Sequence, residues 1–158
     1  LQALVSEPIK PVIDTVVMAN TVHGYVSQSD KGELVIGGGA DGFNNYTQRG
    51  SFHHIEETVR ALIETFPIIS RLKMLRHWGG IVDMTGDRSP IIGKTPLKNC
   101  FINCGWGTGG FKSIPGSGWA MAATMARGEP DDLAAPFGMT RFREGRFIDE
   151  SVAAGVAH

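Results

Sequence analysis

The sequence predicts an α+β fold. Short β-branched runs separated by turn residues fill the part before Gly37, one 3.6-residue apolar repeat follows Ser51, and a strand, a glycine-rich segment and an apolar helix succeed one another from Phe101. The 158 residues are about one ordinary domain, and 42% hydrophobic against 20% charged residues allows a real core. Fifteen basic and sixteen acidic residues leave a net charge of −1, which gives no electrostatic case for nucleic acid or an anionic membrane. The longest strongly apolar stretch, Trp119–Ala126, is far short of the roughly 20 residues a membrane span needs.

The elements follow from the pattern. Pro11–Met18 and His23–Gln28 are rich in β-branched and aromatic residues, and Glu33–Ile36 is entered through the turn Ser29–Gly32. Three short strands with tight connections predict an antiparallel meander. After Ser51, Ile55, Val59, Leu62, Ile63 and Phe66 fall on one face of a helix that Pro67 stops. Ile68, Leu72 and Leu75 predict a second short helix over Ile68–Arg76. Trp78–Met84, Ile91–Ile92 and Phe101–Cys104 return to strand patterns. The last leads into the glycine-rich loop Gly105–Gly118, then into Trp119–Arg127, apolar nearly all round and therefore expected to be buried, with Gly128 as its C-cap. These boundaries divide the chain into 1–76, 77–128 and a tail, 129–158, expected to be irregular and wrapped on the surface. The chain starts on Leu1 without a signal-peptide pattern, and reads as part of a longer protein. The cysteines, Cys100 and Cys104, suit a reducing, cytoplasmic compartment and read as small core residues; they lack the other ligands a metal would need.

Two glycine runs compete as binding motifs. Gly37–Gly42 spells G-x-G-x-x-G after a strand, but the polar, turn-forming Phe43–Gly50 follows where a helix is required. It reads as a strand end where another backbone or a ligand approaches closely. The run Gly105–Gly118 lies between a strand and a helix, where α/β folds bind ligands. Its glycines let N–H groups face a ligand, the helix start adds partial positive charge, and Lys112 is the one cation inside it. That combination points to an anion or an electron-rich ring edge.

Gly107–Lys112 (GTGGFK), with Gly118 and the following helix, resembles the C-terminal flavin loop of the amine-oxidising FAD proteins, the sarcosine, dimethylglycine, glycine and D-amino-acid oxidases. Met84–Gly93 (MTGDRSPIIG) resembles the M-T-P-D-x-x-P-x-I-G stretch of that family. The opening Glu7–Pro11, the hairpin Gln28–Gly38 and the tail Arg141–Phe147 are similar to the β subunits of heterotetrameric bacterial sarcosine oxidases.

The resemblance implies an antiparallel substrate-domain sheet with helices, followed by the last strand, glycine loop and helix of an FAD-binding domain. It implies that Gly107, Gly109, Gly110 and Phe111 present backbone to non-covalent FAD, and that Lys112, the implied catalytic residue, lies near the flavin pyrimidine edge and the substrate carboxylate. The residue that links FAD covalently in monomeric relatives is a cysteine, and its position here is Gly80; Gly86 replaces the family proline. No lysine in Glu33–Gly39 matches the one used for oxygen activation in monomeric relatives. FMN is implied in the complete subunit with its attachment site outside this chain. Partners implied are sarcosine or a similar secondary-amine acid, the other oxidase subunits, and tetrahydrofolate. A related oxidase or dehydrogenase, or a partner fragment without its own cofactor, stands as the alternative. Asp87 and Arg88 either line the site or pin their loop through an ion pair, and His53, His54 and His77 read as surface or capping residues.

Overall fold

The computed structural model describes residues 1–148. Its first strand, β1 (Gln2–Pro8), lies where the sequence pattern suggests no element, and it is central rather than peripheral. The sheet runs β2 (Val17–Ala19), β3 (Gly24–Gln28), β4 (Glu33–Gly38), β1, β5 (Met74–Gly79), antiparallel throughout. Ser6 in β1 explains why hydropathy missed it: a polar residue is fully buried there because its Oγ accepts from Leu34 N at 2.9 Å and donates to Glu7 O at 2.8 Å.

The expected meander holds for β2, β3 and β4, with one correction. Most of Pro11–Met18 is loop, and only Val17–Ala19 pairs. Pro8 and Pro11 have no N–H to give a ladder, and the Gln28 side chain takes the next two: its Oε1 accepts from Val12 N at 2.7 Å and Ile13 N at 3.1 Å. The α+β class is as expected.

Helix α1 (Phe52–Thr65) is the predicted one, capped by Ser51, whose side chain accepts from His54 N. It covers one sheet face, and Leu4, Val26, Leu34, Ile36, Leu62 and Ile69 form the core, each at most 2% exposed. The second helix is corrected. Pro67–Arg71 is a 3-10 turn, and Met74–Gly79 is β5, paired with β1 through Ala3↔Trp78 and Leu4↔His77. Its apolar residues mimic helical spacing, but the open edge of β1 supplies a ladder that propensity does not outweigh. The strand expected over Trp78–Met84 therefore ends at Gly79.

These elements form one compact unit, Leu1–Ile81; a second begins at Val82. The second contains the hairpin β6 (Ile91–Lys94) and β7 (Phe101–Cys104), then α2 (Gly110–Arg127) and the short α3 (Thr140–Glu144). Helix α2 starts nine residues before the expected Trp119 and carries Pro115 within it. Nor is it buried all round: Ser117, Ala120 and Thr124 are its buried residues, while Trp119 is 58% exposed. Gly128 closes it in the left-handed conformation (φ 74°), as expected.

The tail is also corrected. Asp131, Ala134 and Arg141 are buried, and Ala134 joins Ile92 and Ala120 in a small apolar cluster. Asp131 is held because its N–H reaches Thr124 Oγ1 at 3.0 Å and its carboxylate meets Arg127 at 3.1 Å. Residues 149–158 of that expected tail lie outside the described residues. Cys100 is exposed, which corrects its reading as a core residue; Cys104 is half-buried.

Candidate functional site

The glycine turn after β7 is built from the strand outward. Gly105 (φ 74°) and Gly107 (φ 53°) both take left-handed backbone that other residues adopt only at a cost. Gly105 N donates to Asp83 Oδ2 at 2.6 Å, Gly107 N to Asp83 O at 3.0 Å, and Gly109 N to Trp106 O at 3.0 Å. Gly107–Gly109 is a 3-10 turn that runs directly into α2.

The start of α2 has no side-chain cap and no acid in its first turn. Its leading N–H groups lack the intrahelical acceptors that later turns provide, so they present partial positive charge. Phe111 is 90% exposed and Lys112 is exposed. The Lys112 side chain lies along the turn, its Cε 3.8 Å from where a Cβ on Gly109 would stand. Gly116 and Gly118 face open space. The structure thus brings Gly107, Gly109, Gly110, Phe111 and Lys112 together at one helix start. The expected loop is half helix, which concentrates the N–H groups. An uncapped helix start, backbone without Cβ atoms and one ammonium fit an electron-rich ring or a carboxylate, the donor set an isoalloxazine edge requires.

Asp87 belongs to a buried ion pair. Arg141 Nε meets Asp87 Oδ2 at 2.6 Å and Arg141 Nη2 meets Oδ1 at 2.9 Å, with the side chains 3% and 2% exposed. Arg141 also donates to the carbonyls of Ser89, Phe137 and Gly138, and stacks over the Phe142 ring at 4.1 Å. Hydrogen bonding from Arg141 holds the Asp87 carboxyl well below the usual carboxylate range. The open choice for Asp87 therefore resolves to pinning the loop, and its partner is Arg141 rather than Arg88. Arg88 takes φ 60° in the same loop. Burial, then the nearby Asp83, push the Cys104 thiol up, which leaves it a weak nucleophile.

Among the described residues, the histidines lie in the first unit. His53 meets Glu57 at 3.3 Å on the α1 surface. His77 Nε2 lies 3.2 Å from Gln2 Oε1 and fills the space beside Gly50. His54, 13% exposed, meets Asp41 at 3.2 Å and packs on Gly39, lining an open cleft of about 560 Å³ with His23, Thr58, Arg60 and Glu64. The first glycine run is consistent with close approach by protein atoms. A Cβ on Gly37 would strike the Tyr25 ring at 2.5–2.7 Å, and one on Gly38 would strike His23 O at 2.1 Å. Asp83 and Arg141 are the site-forming residues that motif reading did not single out, since neither lies in the glycine run they support. Among the described residues no group of histidine, cysteine and acidic side chains could hold a metal, and no helix is long and apolar enough to cross a membrane.

Comparison with known proteins points the same way. The chain is 78% identical over its full length to sarcosine oxidase subunit beta of Rhodobacter capsulatus, covering 38% of that protein. It is 58% identical over its full length to sarcosine oxidase subunit beta of an Arthrobacter species, covering 39%. It therefore spans less than two-fifths of the length of these relatives. Among solved structures, L-proline dehydrogenase from P. horikoshii superposes with a TM-score of 0.84 at 25% identity, over 91% of this chain and 39% of that one. The signature of the FAD dependent oxidoreductases matches residues 1–124, most of the chain and the whole of the glycine turn with Lys112. By that match, the chain belongs to the FAD dependent oxidoreductase family.

Proposed function

We propose that this chain is the C-terminal part of a flavin-dependent oxidase subunit that oxidises sarcosine with oxygen to glycine and hydrogen peroxide, the methyl carbon leaving as formaldehyde with water or as methylene-tetrahydrofolate with tetrahydrofolate. The observation that carries this reading is the start of α2. Gly109, Gly110, Phe111 and Lys112 open it with neither a cap nor an acid, after a turn anchored on Asp83. Similarity to part of the sarcosine oxidase β subunits, along the whole of this chain, supports the choice of substrate. In the complete enzyme the partners are the other subunits and, as acceptor of the one-carbon unit, tetrahydrofolate. FMN is attached outside this chain, and the location is cytoplasmic.

Bound FAD supplies the two-electron acceptor that turns a secondary amine into an imine. The roles of the chain are binding and charge compensation. Gly107, Gly109, Gly110 and Phe111 offer backbone to the ring edge, and the N–H groups of Gly110 and Phe111 at the helix start stabilise negative charge developing there without reorganising. The Lys112 ammonium pairs with the substrate carboxylate, which fixes the amine relative to the acceptor.

Stopped-flow reduction by sarcosine in the complete enzyme tests this. Lys112→Ala should lower substrate affinity roughly ten- to a hundredfold and slow the limiting reduction rate as well. Lys112→Arg should recover only part, because a planar fork replaces a point charge. Wild-type affinity and rate in Lys112→Ala would remove Lys112 from the site.

A further inference from the structure

The bed beneath the glycine turn is three consecutive residues. Asp83 grips the turn twice, its carboxylate taking Gly105 N–H at 2.6 Å and its carbonyl taking Gly107 N–H at 3.0 Å. Met84 Sδ comes within 2.8 Å of where a Cβ on Gly107 would stand, and Thr85 Cγ2 within 2.5 Å of one on Gly105. The bed is itself locked from behind. Thr85 Oγ1 donates to Ser89 O at 2.7 Å and to Asp87 Oδ1 at 3.1 Å, and the Arg141 guanidinium closes on both Asp87 and Ser89. Asp83 is exposed, so its carboxylate fills no core; what it does in this arrangement is accept.

We propose that Asp83 is a positioning residue for the cofactor-facing turn, setting the direction of the first α2 amides and of Lys112 by fixing the two left-handed glycines that precede α2. The inference rests on the flavin reading of that turn. A segment with four glycines in Gly105–Gly110 has many accessible conformations, and a geometry useful to a ring edge must be imposed from outside. A carboxylate acceptor does so more firmly than a neutral one, and the Asp87–Arg141 pair keeps the segment carrying it in place.

The test uses the complete subunit in its assembled enzyme. The readouts are the FAD dissociation constant, from recovery of free-flavin fluorescence, and the separate KM and kcat for sarcosine. Asp83→Ala should weaken FAD binding about tenfold and raise the sarcosine KM through displaced Lys112, while Asp83→Asn, which keeps an acceptor at the same reach, should stay within about threefold of wild type. Asp83→Glu keeps the charge but moves the acceptor out by a methylene, and should behave as Asp83→Ala does. Asp83→Ala binding FAD as wild type, or Asp83→Asn binding as weakly as Asp83→Ala, overturns the proposal. If Asp83→Ala does not fold, the other pair decides: Asp83→Asn tight with Asp83→Glu weak supports it, and any other ordering overturns it. Lys112→Ala measured alongside separates the two readings. A wild-type response there removes the carboxylate site of Lys112, whereas the Asp83 series reports on FAD binding independently.

Discussion

The two units fill their interiors with opposite chemistry. The first is apolar: six aliphatic side chains from the sheet, α1 and the following turn are at most 2% exposed, and Ser6 is the buried polar exception among the described residues. The second has a small apolar cluster of Ile92, Ala120 and Ala134, and buries Ser89, Ser117, Thr124, Asp131 and Arg141 besides. An apolar interior tolerates local rearrangement because its forces have no direction. A polar interior does not, since each donor demands an acceptor at a fixed place. The unit that must hold a glycine-rich turn in one geometry is the one built on directed bonds, and the unit that supplies a broad sheet is built on area.

That contrast can be broken at its strongest point first. Arg141→Ala leaves Asp87 a buried charge without its partner, and should cost about 3–5 kcal/mol, read as lost hydrogen-exchange protection in β6 and β7 with α1 unaffected. Pairing Arg141→Met with Asp87→Leu should recover most of that loss, because two apolar side chains need no partner. On the other side, Leu62→Ala should cost about 3 kcal/mol and loosen α1 and the sheet while β6 and β7 keep their protection. The smallest effect is the response to acid. With its carboxyl held below the unfolded value, Asp87 contributes fully at neutral pH, and the contribution fades as pH falls below about 4 toward the folded-state value. Acid unfolding followed by fluorescence should therefore begin in the second unit, and the Leu/Met double variant should flatten that phase.

The same contrast explains what could be read in advance. Helix α1, β3, β4 and β7 are legible because burial of a face imposes a period, and area-driven packing writes that period into the sequence. The first and last strands of the sheet are not legible for local reasons. Ser6 puts a hydroxyl in the core of β1, and Leu72 and Leu75 give the β5 region a helical spacing. The start of α2 hides behind Gly110, Pro115, Gly116 and Gly118, residues of the lowest propensity for a helix interior. In the site, the glycines and Lys112 stand out by composition. Asp83 and Arg141 do not, because a directed bond needs one acceptor in one place and leaves no repeat. Arg141 sits in the run TRFREGRF, where it looks like one more surface charge.

The buried pair has a consequence for how the protein is made. Asp87 and Arg141 are 54 residues apart, so at ordinary translation speeds Asp87 leaves the ribosome about 3–11 s before the guanidinium that closes on it. During that interval its carboxylate stays hydrated, and the segment that supports the glycine turn cannot be sealed. A nascent chain halted anywhere in the interval carries an unsupported glycine turn, however complete its sheet. The arginine thus acts as a completion signal: the segment beneath the glycine turn matures only after nearly all of the described residues have been synthesised.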